Sequence, residues 1–125
     1  YGKGERKVSD RKLVPYSVFT TPALSRVGLN EVEAKNKGIE YKLFKLAATS
    51  IPKAKVIGNT RGMYKILVNP DTKEILGATI YGEESYEVIN LIALAMKAKL
   101  PYTMLRNQIY THPTMSEALN DVLKG

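Results

Sequence analysis

The sequence has no cysteine, no tryptophan and one histidine among its 125 residues. Without cysteine, the chain by itself can form no disulfide, no thiolate metal site and no cysteine nucleophile. A zinc centre built from several imidazoles needs more than one histidine, so that class of metal site is excluded as well. We therefore expect no metal site, and His112 is the one side chain that ordinarily titrates near neutral pH.

Long hydrophobic runs are also absent. The longest strongly apolar stretch, 88–96, is about half of the ~20 residues that a helix needs to cross a bilayer. The basic residues at the start of the chain are not followed by the apolar core of a signal peptide. These features predict a soluble, cytoplasmic protein without a membrane partner.

The composition is that of one folded domain. Hydrophobic residues make up 44% of the chain and charged residues 25%, which is enough for a single core and argues against disorder. No segment is low-complexity or repeated at a fixed period, so a repeat architecture is not indicated.

The formal net charge of +7 leaves a basic nucleic-acid-binding module open as an alternative function, because lysine and arginine gain affinity by releasing counterions from phosphates. Residues 1–12 hold five of these cations against two acids, so the charge is shared between this segment and the rest of the chain. The segment lacks the interleaved aromatic residues on which single-stranded bases stack. We interpret it as a basic linker and expect no nucleic acid partner.

Strands are predicted where β-branched and aromatic residues cluster or alternate: at 14–19, within 40–49, at 63–68 and at 75–81. The last two are separated by a segment rich in turn-forming residues and should pair as an antiparallel hairpin. Gly77, inside the second of these strands, indicates a bulge or the close approach of another backbone segment.

Two capping boxes predict the starts of helices. Asn30 and Glu33 should begin a short helix, and Thr114 and Glu117 a final helix over 115–123. In each pair the first side chain accepts a hydrogen bond from an N–H group of the first helical turn, and the glutamate returns to the cap backbone.

A longer helix is predicted over 83–99, with acidic residues near its start and lysines near its end, as the helix dipole favours. Its apolar residues cover nearly the whole circumference, which suits either simple burial or an interface. Because strands and helices do not alternate regularly, we predict an α+β fold in which helices cover an antiparallel β-sheet.

His112 stands just before the last predicted helix. Pro113 drives it from helical into extended geometry, and Glu117 leans back toward the start of the helix, so the two side chains can meet. A carboxylate on one ring nitrogen fixes the tautomer and leaves the other nitrogen free to exchange a proton. A turn histidine beside an ordinary capping residue is the alternative interpretation.

The segment 111–117, Thr-His-Pro-Thr-Met-Ser-Glu, resembles the signature near the C-terminus of glutathione reductase, dihydrolipoamide dehydrogenase and other FAD-dependent pyridine nucleotide-disulfide oxidoreductases. Further segments resemble that family's dimerisation domain in order and spacing, and lie at 19–22, 27–31, 62–68, 75–77 and 87–89. The resemblance extends over residues 14–123. It departs from the family at Ala23, where many relatives have glutamate, and we expect this to alter a local contact rather than the fold.

The resemblance implies that the chain is part of a homodimeric flavoprotein disulfide oxidoreductase. Residues 1–13 are then a basic linker from the FAD/NAD-binding domains, and 14–125 are the dimerisation (interface) domain. FAD and NAD(P)H are expected in the full-length protein, whereas the chain alone should bind neither and be inactive. Its expected partners are a second copy of itself and the FAD/NAD-binding domains of the same protein.

The same resemblance implies the site residues. His112 would be the proton donor and acceptor at the partner subunit's flavin and cysteine pair, with Glu117 as the acid that orients it. The backbone of His112 and Pro113 is expected near the partner's flavin. Segments 14–19 and 100–106 are similar to a bacterial branch linked to resistance to reactive chlorine and hypothiocyanous acid. A purely structural interaction domain, in which His112 has no chemical role, is the second alternative.

Overall fold

The computed structural model describes residues 14–19, 23–51, 62–110 and 115–124. They form one five-stranded antiparallel sheet with strands β1 (Tyr16–Val18), β2 (Leu24–Gly28), β3 (Lys42–Ala47), β4 (Met63–Val68) and β5 (Ile75–Tyr81). The helices are α1 (Glu31–Asn36), α2 (Ser85–Lys97), α3 (Tyr102–Asn107) and α4 (Ala118–Val122), with a 3₁₀ turn at Ala48–Ser50. The strand order is β1-β2-β5-β4-β3, and the predicted α+β class is confirmed.

The predicted hairpin forms between β4 and β5, which begin and end where the sequence pattern places them. Asn69 organises the turn: its Oδ1 accepts hydrogen bonds from the backbone N–H of Asp71 at 2.8 Å and of Thr72 at 3.1 Å. An asparagine side chain that bonds the backbone two residues ahead stabilises a turn locally. The hairpin therefore follows from short-range sequence.

Gly77 has both of the features predicted for it. The pairing register shifts between Leu67 and Val68 on the opposite strand, which is a β-bulge. The backbone of Leu29 also crosses directly over Gly77: a Cβ added here would lie 2.7 Å from the Leu29 carbonyl carbon and closer still to its oxygen and nitrogen. This approach lets the Leu29 N–H donate to the Leu76 carbonyl at 3.1 Å.

Strand β2 is not predicted by the sequence patterns. It pairs with β5, where Val27 lies opposite Ala78, and its other edge pairs with β1. Only Ser25 and Val27 of its five residues are buried, so its apolar alternation is weak. Strand formation here depends on the neighbouring strands more than on intrinsic preference.

Serine hydroxyls tie β1, β2 and the start of α2 together inside the domain. The Oγ atoms of Ser17 and Ser25 are 2.6 Å apart, and those of Ser25 and Ser85 are 2.9 Å apart. Ser85 Oγ also donates to the Ala23 carbonyl at 3.1 Å. Since Ser25 and Ser85 are fully buried, this series of hydrogen bonds supplies the partners that buried hydroxyls require.

Helix α2 begins later than predicted, at Ser85. Glu84 adopts a left-handed φ of 57°, and the Gly82 N–H donates to the Ala23 carbonyl at 2.9 Å. The chain is therefore held in a turn against β2 before it can enter the helix. Most of the apolar circumference of α2 is buried, but Leu94 is 65% exposed.

Helix α1 confirms the first predicted cap, because Asn30 Oδ1 accepts from the Glu33 N–H at 2.8 Å. Its acids reach cations of the sheet: Glu33 pairs with Arg26 at 2.6 Å, and Glu31 pairs with Lys65 at 3.1 Å. Arg26 alternates along β2 with buried Ser25 and Val27, so it points to the other face of the sheet. Helix α1 thus lies on the face of the sheet opposite the main core.

The main core lies between the sheet and helices α2, α3 and α4. Its fully buried large side chains include Tyr64, Ile66, Ile80, Ile89, Ile92, Met115, Leu119 and Leu123. Burial raises the pKa of the Tyr64 phenol well above its usual value, with the Glu84 carboxylate adding to the shift. Among the helices described, none has the length and apolarity that spanning a bilayer requires.

Candidate functional site

Glu117 lies, half-buried, on the turn that leads into α4. The final helix is shorter than predicted: it begins at Ala118, and the preceding residues are joined to it by i→i+3 hydrogen bonds of 3.0–3.2 Å, the first from the Ala118 N–H to the Met115 carbonyl. Such bonds tighten a helix entry into a 3₁₀-like turn. Met115 is 1% exposed, so the turn in front of Glu117 is anchored in the core.

His112 and Pro113 lie outside the described residues, together with Thr111 and Thr114. The pairing of His112 with Glu117, the cap at Thr114 and the approach of this backbone to a flavin therefore stay predictions. The linker predicted for 1–13 also lies outside them.

Asn120, in α4, holds the end of α3. Its Nδ2 donates to the carbonyl oxygens of Arg106 and Gln108, each at 2.8 Å. Gln108 leaves helical geometry with φ −68° and ψ 147°, and the last carbonyls of a helix have no partner within it. The Asn120 amide thus supplies donors that the end of α3 lacks.

Tyr110 makes a further hydrogen bond that holds the same segment in place. Its hydroxyl donates to the Leu105 carbonyl at 2.8 Å, and burial raises the pKa of Tyr110 to about 12. The phenol therefore stays protonated and able to donate throughout the physiological pH range. With Asn120 on the far side, the described chain is tied down just before 111–114 and again just after it.

Neither Asn120 nor Tyr110 is among the site residues that the sequence predicts. The available signal is the end of α3, Leu-Arg-Asn-Gln, which has no glycine to close the helix in a left-handed turn. A helix that ends in this way needs side-chain donors for its carbonyls. The sequence does not say which side chains these are, because Asn120 comes from a different helix.

The surface beside this segment is partly apolar. Met104 is 54% exposed and Ile109 94% exposed, and a shallow depression is lined by Thr103, Met104, Asn107 and Gln108. In the part of the chain that the structure describes, no three His, Cys, Asp or Glu side chains come together as a metal site.

Comparison with protein families matches residues 14–123 to the family described as "Pyridine nucleotide-disulphide oxidoreductase, dimerisation domain". A curated relative, "Probable pyridine nucleotide-disulfide oxidoreductase RclA" of Escherichia coli (strain K12), is 48% identical over 121 residues, which are 97% of this chain and 27% of the relative. "Mercuric reductase" of Staphylococcus aureus is 36% identical over 118 residues, or 94% of this chain and 21% of that protein.

Among solved structures, "HOCl-induced flavoprotein disulfide reductase RclA from Escherichia coli" superimposes with a TM-score of 0.92 and 47% identity. The match covers 98% of this chain and 28% of that one. The chain thus spans about a quarter of the length of the relatives it matches, and both predicted site residues, His112 and Glu117, lie within the family match.

Proposed function

Because this chain belongs to the dimerisation-domain family of the pyridine nucleotide-disulphide oxidoreductases, we propose that it pairs two subunits of a flavoprotein disulfide oxidoreductase and supplies each partner with an acid-base pair, His112 and Glu117. The observation that carries the proposal is the anchoring of Glu117. It sits on a core-anchored turn five residues after His112, and α4 is bonded through Asn120 to the chain that precedes His112.

In the proposed reaction a thiolate of the enzyme attacks a substrate disulfide, so that one S–S bond forms as another breaks. The departing thiolate takes a proton from the His112 imidazolium, and neutral His112 later takes a proton from the enzyme thiol that completes the exchange. His112 thus ends each cycle in the protonation state in which it began. FAD and NAD(P)H would be held by the remainder of the protein, and FAD reduced by NAD(P)H would supply the two electrons that regenerate the enzyme's cysteine pair.

Glu117 acts on this reaction through His112. A carboxylate that accepts from one imidazole nitrogen fixes the tautomer, favours the imidazolium and directs the other nitrogen toward the sulfur. A side chain on a loose loop would lose much of this benefit, since proton transfer needs hydrogen-bond distance and alignment. The core contacts of Met115 and the Asn120 bonds limit such movement on the Glu117 side.

The cofactors belong to the remainder of the protein under this proposal. The chain has no cysteine and no glycine-rich phosphate loop, so its own share of the flavin pocket is the backbone at His112 and Pro113. The isolated chain would bind neither FAD nor NAD(P)H and would be inactive. Residues 1–13 would link it to the FAD/NAD-binding domains of a cytoplasmic homodimer that has neither nucleic acid nor membrane as a partner.

The identity to RclA favours a more specific assignment. The solved relative is named as an HOCl-induced flavoprotein disulfide reductase, and the segments 14–19 and 100–106 resemble a branch linked to reactive chlorine. We assign the chain to that kind of enzyme rather than to mercuric reductases, because it is 48% identical to RclA and 36% identical to the mercuric reductase.

The test is disulfide reduction by the full-length flavoprotein with His112→Ala. General acid-base catalysis contributes about 10²–10⁴-fold, so we expect turnover to fall by at least ~10²-fold while FAD content and the dimer are kept. Glu117→Gln should cause a smaller loss and shift the pH profile. Asp121→Asn, an exposed acid of α4 that pairs with Lys124, is the matched control and should change neither.

Normal turnover by His112→Ala would overturn the proposal and favour a purely structural interaction domain. A strongly salt-dependent affinity of the chain for RNA would favour the basic nucleic-acid-binding module instead.

A further inference from the structure

The chain on either side of the segment 111–114, which contains His112, is held in two different ways. On the C-terminal side burial holds it, because Met115 is fixed in the core. On the N-terminal side Ile109 is 94% exposed, and Gln108 is exposed as well. Burial therefore does not fix the chain just after α3, and its position there depends on hydrogen bonds.

One side-chain amide supplies two of these hydrogen bonds. Asn120 Nδ2 donates to the carbonyl oxygens of Arg106 and Gln108, each at 2.8 Å. A primary amide has two N–H donors, so Asn120 uses its whole donor capacity on the last turn of α3 and the residue after it. Leucine is close to asparagine in size and could make neither bond.

Helix α3, whose end accepts these bonds, is itself held against the sheet. Tyr102, in its first turn, is 8% exposed, and its ring packs on Phe44 of β3 with the centroids 5.1 Å apart. The Arg106 guanidinium lies over the Tyr102 ring, 5.6 Å from its centroid, where the aromatic face attracts a cation. The carbonyl groups that Asn120 bonds therefore belong to a helix with a fixed position.

Asn120 also shares one turn of the chain with Glu117. The Asn120 N–H donates to the Glu117 carbonyl at 3.0 Å, and residues three positions apart on a helical turn are neighbours. Any shift of this turn relative to α3 would change the distance between Glu117 and the chain that leads into His112. The two bonds from the Asn120 amide to the end of α3 oppose such a shift.

We propose that Asn120 is a positioning residue for the reaction, because it fixes the distance between Glu117 and the backbone that leads into His112. The inference rests on the proposed function and adds to it a residue that acts only through the acid-base pair. Proton transfer needs hydrogen-bond distance and alignment, so a change in this distance reduces the rate even when the imidazole and the carboxylate are both present.

The test is a double-mutant cycle in the full-length flavoprotein, with cystine as the disulfide and NAD(P)H oxidation as the measure of turnover. A displacement of about 1 Å can cost on the order of 10²-fold in rate, so we expect Asn120→Leu alone to lower kcat at least ~10-fold. The FAD absorbance, the KM for NAD(P)H and the dimer should be unchanged. In a His112→Ala background the same substitution should change the residual turnover by less than about twofold, because no imidazole is left to position.

A purely structural role of Asn120 predicts a different pattern. If Asn120→Leu slows the His112→Ala enzyme by the same factor as the unsubstituted enzyme, the two effects are independent and the positioning role is wrong. An unchanged kcat in Asn120→Leu alone also contradicts it. Asn30→Ala is the control for lost stability, because it removes a helix cap on the other face of the sheet, and it should leave kcat unchanged.

Asn120→Ala takes the place of Asn120→Leu if the leucine variant does not fold, because alanine has the highest helix propensity and lacks the same two donors. The same cycle then decides the role of Asn120. Failure of the proposed function is distinguishable, since it is read from normal turnover of His112→Ala. Slow turnover of His112→Ala, together with independent effects of the Asn120 substitution, keeps the acid-base function and refutes the role of Asn120 alone.

Discussion

Replacing Gly77 with alanine tests whether the crossing of Leu29 over β5 is as close as the structure has it. The added Cβ would lie 2.7 Å from the Leu29 carbonyl carbon, whereas real Cβ atoms almost never come within 3.0 Å of a neighbour. Because these neighbours are backbone atoms, no side-chain rotation can relieve the contact. Displacing packed structure costs about 1–3 kcal/mol, and losing the bond from the Leu29 N–H to the Leu76 carbonyl adds about 1–3 kcal/mol if those groups stay buried.

We therefore expect Gly77→Ala to lower the free energy of unfolding by about 2–6 kcal/mol. Urea unfolding followed by circular dichroism measures it. Gly38→Ala is the control, because Gly38 has a left-handed φ of 65° with nothing within 4 Å of an added Cβ. Alanine at position 38 should introduce a backbone strain of roughly 1–2 kcal/mol. The lower conformational entropy of the unfolded chain should offset about 0.4–1 kcal/mol of that strain. A Gly77→Ala variant as stable as Gly38→Ala would refute the reasoning.

Three further outcomes are expected. Asn30→Ala removes the cap of α1 and should cost about 1 kcal/mol of unfolding free energy, with Asn30→Asp nearly neutral in the same urea titration. Asn120→Leu should cost about 1–3 kcal/mol, and Asn120→Asp, which has no N–H to donate, should not rescue it. Folding raises the pKa of Tyr110 from 10.0 to about 12, so its stabilisation is complete below pH 10 and is lost as the pH rises toward 12. In Tyr110→Phe, the free energy of unfolding should fall less over this alkaline range than it does in the unsubstituted chain. An equal fall in both would contradict the assignment of this pKa shift to Tyr110.

The sequence alone was enough to predict the elements that depend on interactions between residues close together in the chain. The hairpin of β4 and β5 follows from its turn residues, and Asn30 marks the start of α1 because an N-cap is satisfied within one helical turn. Even so, α2 and α4 begin later than the sequence predicts. In α2 the reason is the contact of Gly82 with Ala23, and in α4 it is the 3₁₀-like turn behind buried Met115.

In the candidate site, too, the residues with a local sequence signal could be predicted and the long-range contacts could not. The sequence singles out His112 and Glu117, since the order of residues around them carries the family signature and lies within the matched region. The hydrogen bonds that hold the flanking segment could not be predicted, because Asn120 donates to backbone carbonyls at the end of another helix. A hydrogen bond between distant residues leaves no periodic mark in the sequence.

By itself, then, the sequence determined the domain class, the hairpin and the Asn30 cap of α1, and it predicts His112 and Glu117 as site residues, because each of these inferences depends on neighbours a few positions away. Only the tertiary structure decided that β2 is a strand and that it lies between β1 and β5. Strand order and register are set by which faces can be buried together. That is a property of the assembled sheet, not of any one segment.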